Sequence, residues 1–251
     1  MKKKIAVLHL NVFIKDKIIL KDINLDVYEN EILSIIGPAN SGKSSFLRVI
    51  NRMLDINSDF RVEGNVFIDG EDIYKTNVNI CDLRKRIGII FALPVPLPLS
   101  IYDNLIYGPL LHKKISVERL NGLVEKCLKS ASLWEEVKDR LHLSALQLSG
   151  GQQQRLCLAR SLMVEPEIIL FDEPCSGLDP VSTSKVERTM FELKKRYTLI
   201  LVTNNTKQAA RVSDRTAFLL SGKLIEVDQT KQIFTSPKSK LTNDYITGRF
   251  G

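Results

Sequence analysis

Gly37-Pro-Ala-Asn-Ser-Gly-Lys-Ser44 decides the fold, because it fits GxxxxGK[ST], the pattern of a phosphate-binding P-loop. Upstream, the apolar, β-branched run Ile32–Ile36 reads as a strand; downstream, a helix is expected over Lys43–Met53. Glycines let the backbone turn back, so that successive N–H groups in Gly37, Pro38, Ala39, Asn40, Ser41 and Gly42 surround phosphate oxygens as far as proline's missing hydrogen allows. The helix start adds partial positive charge. Lys43 is then the residue that reaches the β- and γ-phosphates, and the Ser44 hydroxyl ligates Mg2+. A chain this long shows such a match by chance on the order of 1% of the time. The strand–loop–helix context makes chance rarer still, so the chain binds a nucleotide.

Two further stretches complete a site. Ile168-Ile-Leu-Phe-Asp172-Glu173 is an apolar strand ending in two acids. It carries Asp172 to the carboxyl edge of a sheet, where it can hold magnesium, and places Glu173 to polarise an attacking water. Leu148-Ser149-Gly150-Gly151-Gln152, before a helix expected over Gln153–Leu162, is a second anion-binding helix start. One nucleotide needs one P-loop, so a second cradle demands a reason.

Around these segments the chain alternates. Short strands are expected at Ile18–Leu20, Ile23–Val27 and Val66–Ile68. After the extended Pro94-Val-Pro-Leu-Pro98, residues Val117, Leu120, Val124, Cys127, Leu128 and Ala131 recur at helical spacing. Buried strands at Glu167–Phe171 and Thr198–Thr203 flank a helix bearing Val186, Met190, Leu193 and Tyr197, with Asp179 as its N-cap and Pro180 at its first position. That alternation argues for an α/β domain with a mainly parallel sheet.

Composition excludes other classes. The 251 residues are 44% hydrophobic and 26% charged, which suits a globular protein with a full core and rules out disorder and small disulfide scaffolds. The longest apolar runs, such as Tyr197–Thr203, fall far short of a membrane span, and Met1-Lys-Lys-Lys lacks the apolar stretch of a secretion signal. Cys81, Cys127, Cys157 and Cys175 form no CxxC pair, so neither zinc nor disulfides are expected and a cytosolic chain is. The net charge of +7 is spread over groups such as Lys2–Lys4, Lys113-Lys114 and Lys194–Arg196, which read as solvated surface.

The order P-loop, Leu148–Gln152, Asp172-Glu173, then Ser176-Gly-Leu-Asp179, resembles the ATP-binding subunit of an ABC transporter over essentially the whole chain. The resemblance implies a P-loop NTPase (RecA-like) core with an antiparallel β-subdomain, at 1–92 and 160–251, and an inserted α-helical subdomain at 93–159. It implies ATP and Mg2+ as ligands, and head-to-tail pairing with a second ATPase subunit, either a copy or a paralogue. Ser149, Gly150 and Gly151 would then bind the γ-phosphate held by the partner's P-loop, with Gln152 and Asp179 also in the nucleotide-binding set. Two membrane-spanning permease subunits would contact residues around Pro94–Asn104, placing the chain at the cytoplasmic face of the membrane through protein partners. Closer matches at Asn51-Arg52-Met53, Ser100–Pro109, Gln152–Arg160, Gln208–Asp214 and Asp244–Gly251 are similar to phosphate-importer ATPases, which implies inorganic phosphate as cargo. A soluble ABC protein acting on nucleic acid would carry two such domains or a long coiled-coil insert, and neither is present.

Four positions depart from that family. A glutamine touching magnesium and the attacking water is replaced by Ala92, and a histidine contacting the γ-phosphate by Asn204, whose amide donates a hydrogen bond but takes no positive charge. The aromatic ring that stacks on adenine aligns with Ile14; Phe13 serves if the register slips by one, and otherwise is a core residue. The threonine after the magnesium serine is Ser45, which keeps a hydroxyl. Losing one transition-state donor costs roughly 3–4 kcal/mol. Weak hydrolysis in the chain's own site is therefore expected, with binding intact, and an ATP-binding regulatory subunit is the alternative reading.

Overall fold

Apolar side chains recur through Lys3–Ile14 (β1) and Lys17–Tyr28 (β2), so the antiparallel ladder they form buries one face, with Ile5, Val7, Leu20 and Leu25 in the core. These coordinates, a computed structural model, describe residues 2–112 and 116–249. Met1, the Lys113-Lys114 pair, and Phe250 and Gly251 of the C-terminal match lie outside the described residues. The two short strands expected at Ile18–Leu20 and Ile23–Val27 are one. The polar Lys21-Asp22 interruption is a bulge, with φ of +48° at Asp22 and +49° at His9 facing it. Side chains replace the missing ladder bonds there: Asn11 Oδ1 accepts from the Asp22 amide at 3.0 Å and Asn24 Oδ1 from the His9 amide at 2.9 Å.

The fully buried Ile32–Ile36 (β3) enters the P-loop, followed by Lys43–Ile50 (α1). This helix stops short of Met53. Arg52 adopts φ of +56°, which no helix continues through, and the chain tightens into a 3-10 turn at Met53–Ile56. Phe60–Ile68 (β4) then pairs antiparallel with β1, and Glu71–Asp72 (β5) lies beyond it, giving the order β2-β1-β4-β5. Ile80–Arg86 (α2) leads to Ile87–Ile90 (β6). Helices follow at Ile101–His112 (α3), Val117–Ser130 (α4), Trp134–Val137 (α5) and Gly150–Leu162 (α6). In α4, Leu120, Val124, Cys127 and Leu128 are buried as their spacing requires, while Val117 is exposed.

The remainder alternates: Ile168–Asp172 (β7), Pro180–Leu193 (α7), Thr198–Val202 (β8), Thr206–Val212 (α8), the hairpin Arg215–Leu220 (β9) and Lys223–Gln229 (β10), then Thr230–Thr235 (α9) and Lys240–Ile246 (α10). Asp179 caps α7 as expected, its carboxylate accepting from the Val181 and Ser182 amides at 2.9 Å. Tyr197 falls beyond that helix.

The second sheet has the order β10-β9-β3-β8-β7-β6, parallel except for β10. Its faces are sorted by strand alternation. Leu33, Leu170, Ile200 and Val202 join the core shared with the antiparallel sheet and α1, whereas Ile169, Phe171, Leu199 and Leu201 pack under the helices of the other layer. This is an α/β P-loop NTPase fold with an antiparallel sheet on one side and helices on the other. Parallel strands all point one way. The segments after β3, β6, β7 and β8, which hold the P-loop, Ala92, Glu173 and Asn204, therefore share one sheet edge.

Candidate functional site

The P-loop begins where nothing larger than hydrogen fits. A Cβ on Gly37, at φ +154°, would sit 2.0 Å from the Leu219 carbonyl oxygen of β9. The loop's far end is pinned as well, because the Gly222 amide donates to Ser41 O at 3.0 Å and Lys21 to Gly222 O at 2.8 Å. Inside this frame the Lys43 ammonium folds back on the loop, donating to Gly37 O at 2.8 Å and Pro38 O at 2.7 Å, with Ser41 Oγ at 3.4 Å. Burial pushes its pKa down, opposed by the charges of Glu173 and Asp172. Carbonyl dipoles are weak partners for a buried cation, so a phosphate offers Lys43 more than the loop does.

Ser44 Oγ donates to Asp172 Oδ1 at 2.7 Å, bringing together residues far apart in sequence. A hydroxyl and a carboxylate are the hard oxygen donors that Mg2+ takes, and it completes its shell with water and phosphate oxygens. Among the described residues no group of three His, Cys, Asp or Glu is placed to hold a metal. Ser44 Oγ and Asp172 Oδ1, 2.7 Å apart, fit a magnesium ion whose remaining ligands are water and phosphate oxygens.

Glu173 sits beside them with φ of +52°, a conformation that costs on the order of 1–3 kcal/mol and that its neighbours must hold. Its amide donates to Val202 O at 2.9 Å, and its Oε1 accepts from the Asn204 amide at 3.0 Å. Burial raises the carboxyl's pKa above its ordinary value, partly offset by that amide and by Lys43. A half-buried carboxylate of raised pKa at a sheet edge is suited to taking a proton from water. The Asn204 side chain itself is exposed.

Ala92 follows Phe91, whose carbonyl accepts from the buried Gln154 of α6 at 2.8 Å. The methyl group of Ala92 offers no polar atom to this edge. Phe13 is half-buried, and the Arg61 guanidinium carbon lies 4.2 Å from its ring centroid, so one ring face already holds a cation. Ile14, beside it, is half-buried too. Ser45 is half-buried in the first turn of α1.

The second helix start is built as a capping box. Ser149 Oγ accepts from the Gln152 amide at 3.4 Å and Gln152 Oε1 from the Ser149 amide at 3.0 Å, leaving Ser149 and Gly150 exposed at the tip of α6. Sequence reasoning missed what holds Gln152. Its Nε2 donates to Glu136 Oε2 at 2.9 Å, and the same carboxylate takes Arg155 at 2.7 and 3.0 Å and Lys185 of α7 at 2.7 Å. Arg155, foremost, holds the Glu136 carboxyl at about 2. Arg155 could have announced this: an arginine one turn beyond Gln152 on a helix that packs into the core requires an acid, and Glu135-Glu136 lies just upstream.

A family model described as "ABC transporter" matches residues 20–176. Among solved structures the chain is similar to cbiO1 from Clostridium perfringens, described as part of the ABC transporter complex cbiONQ, at 24% identity and a TM-score of 0.84, covering 99% of this chain and 97% of that one. It is also similar to a bacterial Atm1-family ABC exporter with ATP bound, at 25% identity and a TM-score of 0.81; all of this chain aligns, spanning 43% of that one. The family match covers more than half of the sequence and takes in the P-loop, the serine–diglycine helix start and Asp172-Glu173. The chain therefore belongs to the ABC transporter family, whose ATP-binding subunits energise transport.

Proposed function

We propose that this chain is the ATP-binding and hydrolysing subunit of an importer of inorganic phosphate, and that hydrolysis in its own site is slow. The observation that carries the ATPase reading is the 2.7 Å bond between Ser44 and Asp172, with Lys43 and Glu173 gathered on the same sheet edge. Lys43 exchanges the Gly37 and Pro38 carbonyls for the phosphates of ATP. Ser44 and Asp172 hold the magnesium ion, which neutralises phosphate charge when bound. Glu173 orients a water and accepts its proton as the bond to the γ-phosphorus forms and ADP leaves.

Ser149–Gln152 serve a second nucleotide, that of a partner ATPase subunit paired head to tail. Two membrane-spanning subunits hold the pair at the cytoplasmic face of the membrane. Exposed Leu93 and Val95 support contact there, and among the described residues no helix is long and apolar enough to cross a membrane. Phosphate as cargo rests on the matched segments Ser100–Pro109, Gln208–Asp214 and Asp244–Gly251. Loss of radiolabelled phosphate uptake on deleting the chain from its own cell would support it; unchanged uptake would remove it.

Ala92 and Asn204 favour a second reading, an ATP-binding regulatory or heterodimer subunit with little turnover, which the retention of Glu173 opposes. Magnesium-ATP turnover of the purified chain separates the claims. Restoring donors with Ala92→Gln and Asn204→His should raise the rate on the order of 10²-fold or more. Equal rates for wild type and double variant would end the slow-site proposal. Turnover absent from both would favour the regulatory reading.

A further inference from the structure

The Glu136 carboxylate of α5 collects donors from two other helices. From α6, Gln152 Nε2 donates to its Oε2 at 2.9 Å, and Arg155 reaches both oxygens, at 2.7 and 3.0 Å. From α7, Lys185 Nζ donates to Oε1 at 2.7 Å. Both α6 donors lead on to the exposed helix start. Gln152 uses its other amide atom, Oε1, to accept from the Ser149 amide at 3.0 Å, and Arg155 Nε donates to Gly151 O at 3.2 Å. Arg155 is only 2% exposed, so this grip is sheltered as a surface ion pair is not.

Lys185 brings in α7 along one face of that helix, because Ser182, Lys185 and Thr189 recur at spacings of four and three. Thr189 Oγ1 lies 3.1 Å from Ser132 Oγ, and the Ser132 carbonyl accepts from Arg155. Ser182 packs on Gly151 so closely that no Cβ fits there, and its hydroxyl donates to Asp179 Oδ2 at 2.5 Å. The exposed Ser149-Gly150 tip of α6 and the exposed Asp179 cap of α7 are thus joined, and the Glu136 carboxylate bonds to both helices.

We infer, on the reading that Ser149–Gln152 serve a partner subunit's nucleotide, that Glu136 is a positioning residue for that nucleotide. It sets the start of α6 against the Asp179 end of α7, so that the two meet the partner as one piece. Its partners Gln152, Arg155 and Lys185 all lie outside the chain's own phosphate cradle. Loss of Glu136 should therefore act on the partner's site and spare the chain's own grip on nucleotide.

The membrane complex, purified from its own cell by a tag on this chain, carries whichever ATPase partner the chain has, a copy or a paralogue. Magnesium-ATP turnover is measured at saturating nucleotide and counted per assembled complex. Glu136→Gln keeps the side chain's size and removes its charge. Turnover should fall on the order of 10-fold or more, toward the 10²-fold that a 1 Å misplacement can cost. Lys185→Met cuts only the tie to α7, on a partly exposed side chain; it should lower turnover about 2- to 10-fold with the melting temperature near that of wild type. The isolated chain of either variant, titrated calorimetrically with magnesium and a non-hydrolysable ATP analogue, should bind like wild type. A merely structural carboxylate would not produce that split: its loss would lower the melting temperature and leave each assembled complex turning over at the wild-type rate. Wild-type turnover per complex in either variant, or a loss of analogue binding as large as the loss of turnover, overturns the inference. Ser149→Phe is the separating control. If it leaves turnover unchanged, the reading that this helix start serves a partner's nucleotide fails; if it stops turnover while Glu136→Gln does not, only the role of Glu136 falls.

Discussion

Gly151 is the most constrained position in the second helix start. A Cβ there would meet Ser182 Oγ at 2.4 Å and Ser182 Cβ at 2.6 Å. Rotating the Ser182 hydroxyl away removes the first clash and gives up its bond to Asp179 Oδ2 at 2.5 Å, but leaves the second in place. Rotamer changes therefore cannot absorb the methyl group, and the starts of α6 and α7 must separate. Forcing an extra carbon into a packed contact costs about 1–3 kcal/mol. Set against the about 1 kcal/mol by which alanine favours helix over glycine, Gly151→Ala should lower stability by about 0–2 kcal/mol net.

The assay is guanidinium unfolding, comparing midpoints at constant slope, for Gly151→Ala, Ser182→Gly and the double variant. Ser182→Gly removes both clashing atoms and leaves only Cα, at 3.8 Å, an ordinary contact. The cycle should then show a favourable coupling of about 1 kcal/mol or more, the double variant being more stable than the sum of the singles predicts. Under the function proposed above, replacing Gly151, which stands between Ser149 and Gln152, should also impair completion of a partner's site, and the double variant should recover part of it. Strict additivity in the cycle would refute the packing argument.

Two pH effects follow from the acids. Burial raises the pKa of Glu173, and water attack needs its ionised form, so turnover should fall with decreasing pH at values above the ordinary carboxylate range; Glu173→Gln should abolish turnover at every pH while retaining nucleotide. Glu136 behaves oppositely. Its carboxyl is held at about 2 against an ordinary 4.5, so its contribution is present above 4.5 and lost as pH falls toward 2. Glu136→Gln should be less stable than wild type at neutral pH, and the gap should close through that window in acid-unfolding titrations; a constant gap would argue against the Arg155 pairing.

The parts of the fold legible in sequence were those with a local cause. β3, β7 and β8 are buried on both faces and so read as nearly continuous apolar runs, and the P-loop and the Asp179 cap declare themselves through glycines and a proline at fixed offsets. β2 reads as two pieces in sequence because its bulge is sustained by Asn11 and Asn24, which no periodicity announces. The expected end of α1 overran because the break at Arg52 depends on a left-handed backbone in a residue that helices usually favour. At the site, each candidate side chain was visible, but its partner was not. Ser44 meets Asp172 across 128 positions, and Glu136 meets Gln152 from another helix. Such pairings are made by the sheet order, which the local pattern of residues does not encode.

The two departures at Ala92 and Asn204 acquire a common meaning from the backbone around them. Position 204 is joined to Glu173 by its amide N–H, and the chain before position 92 is held through Phe91 O by Gln154; neither bond uses the altered side chain. Both substitutions thus remove chemistry and leave the frame standing. The helix start at Ser149–Gln152, in contrast, is braced independently by Glu136, Arg155 and Lys185. Under the proposed function, binding, own-site hydrolysis and completion of a partner's site would accordingly rest on separate supports in this chain. On that reading a change can slow hydrolysis without weakening the grip of Lys43 or the presentation of Ser149, and the proposed subunit of unequal halves would follow from it.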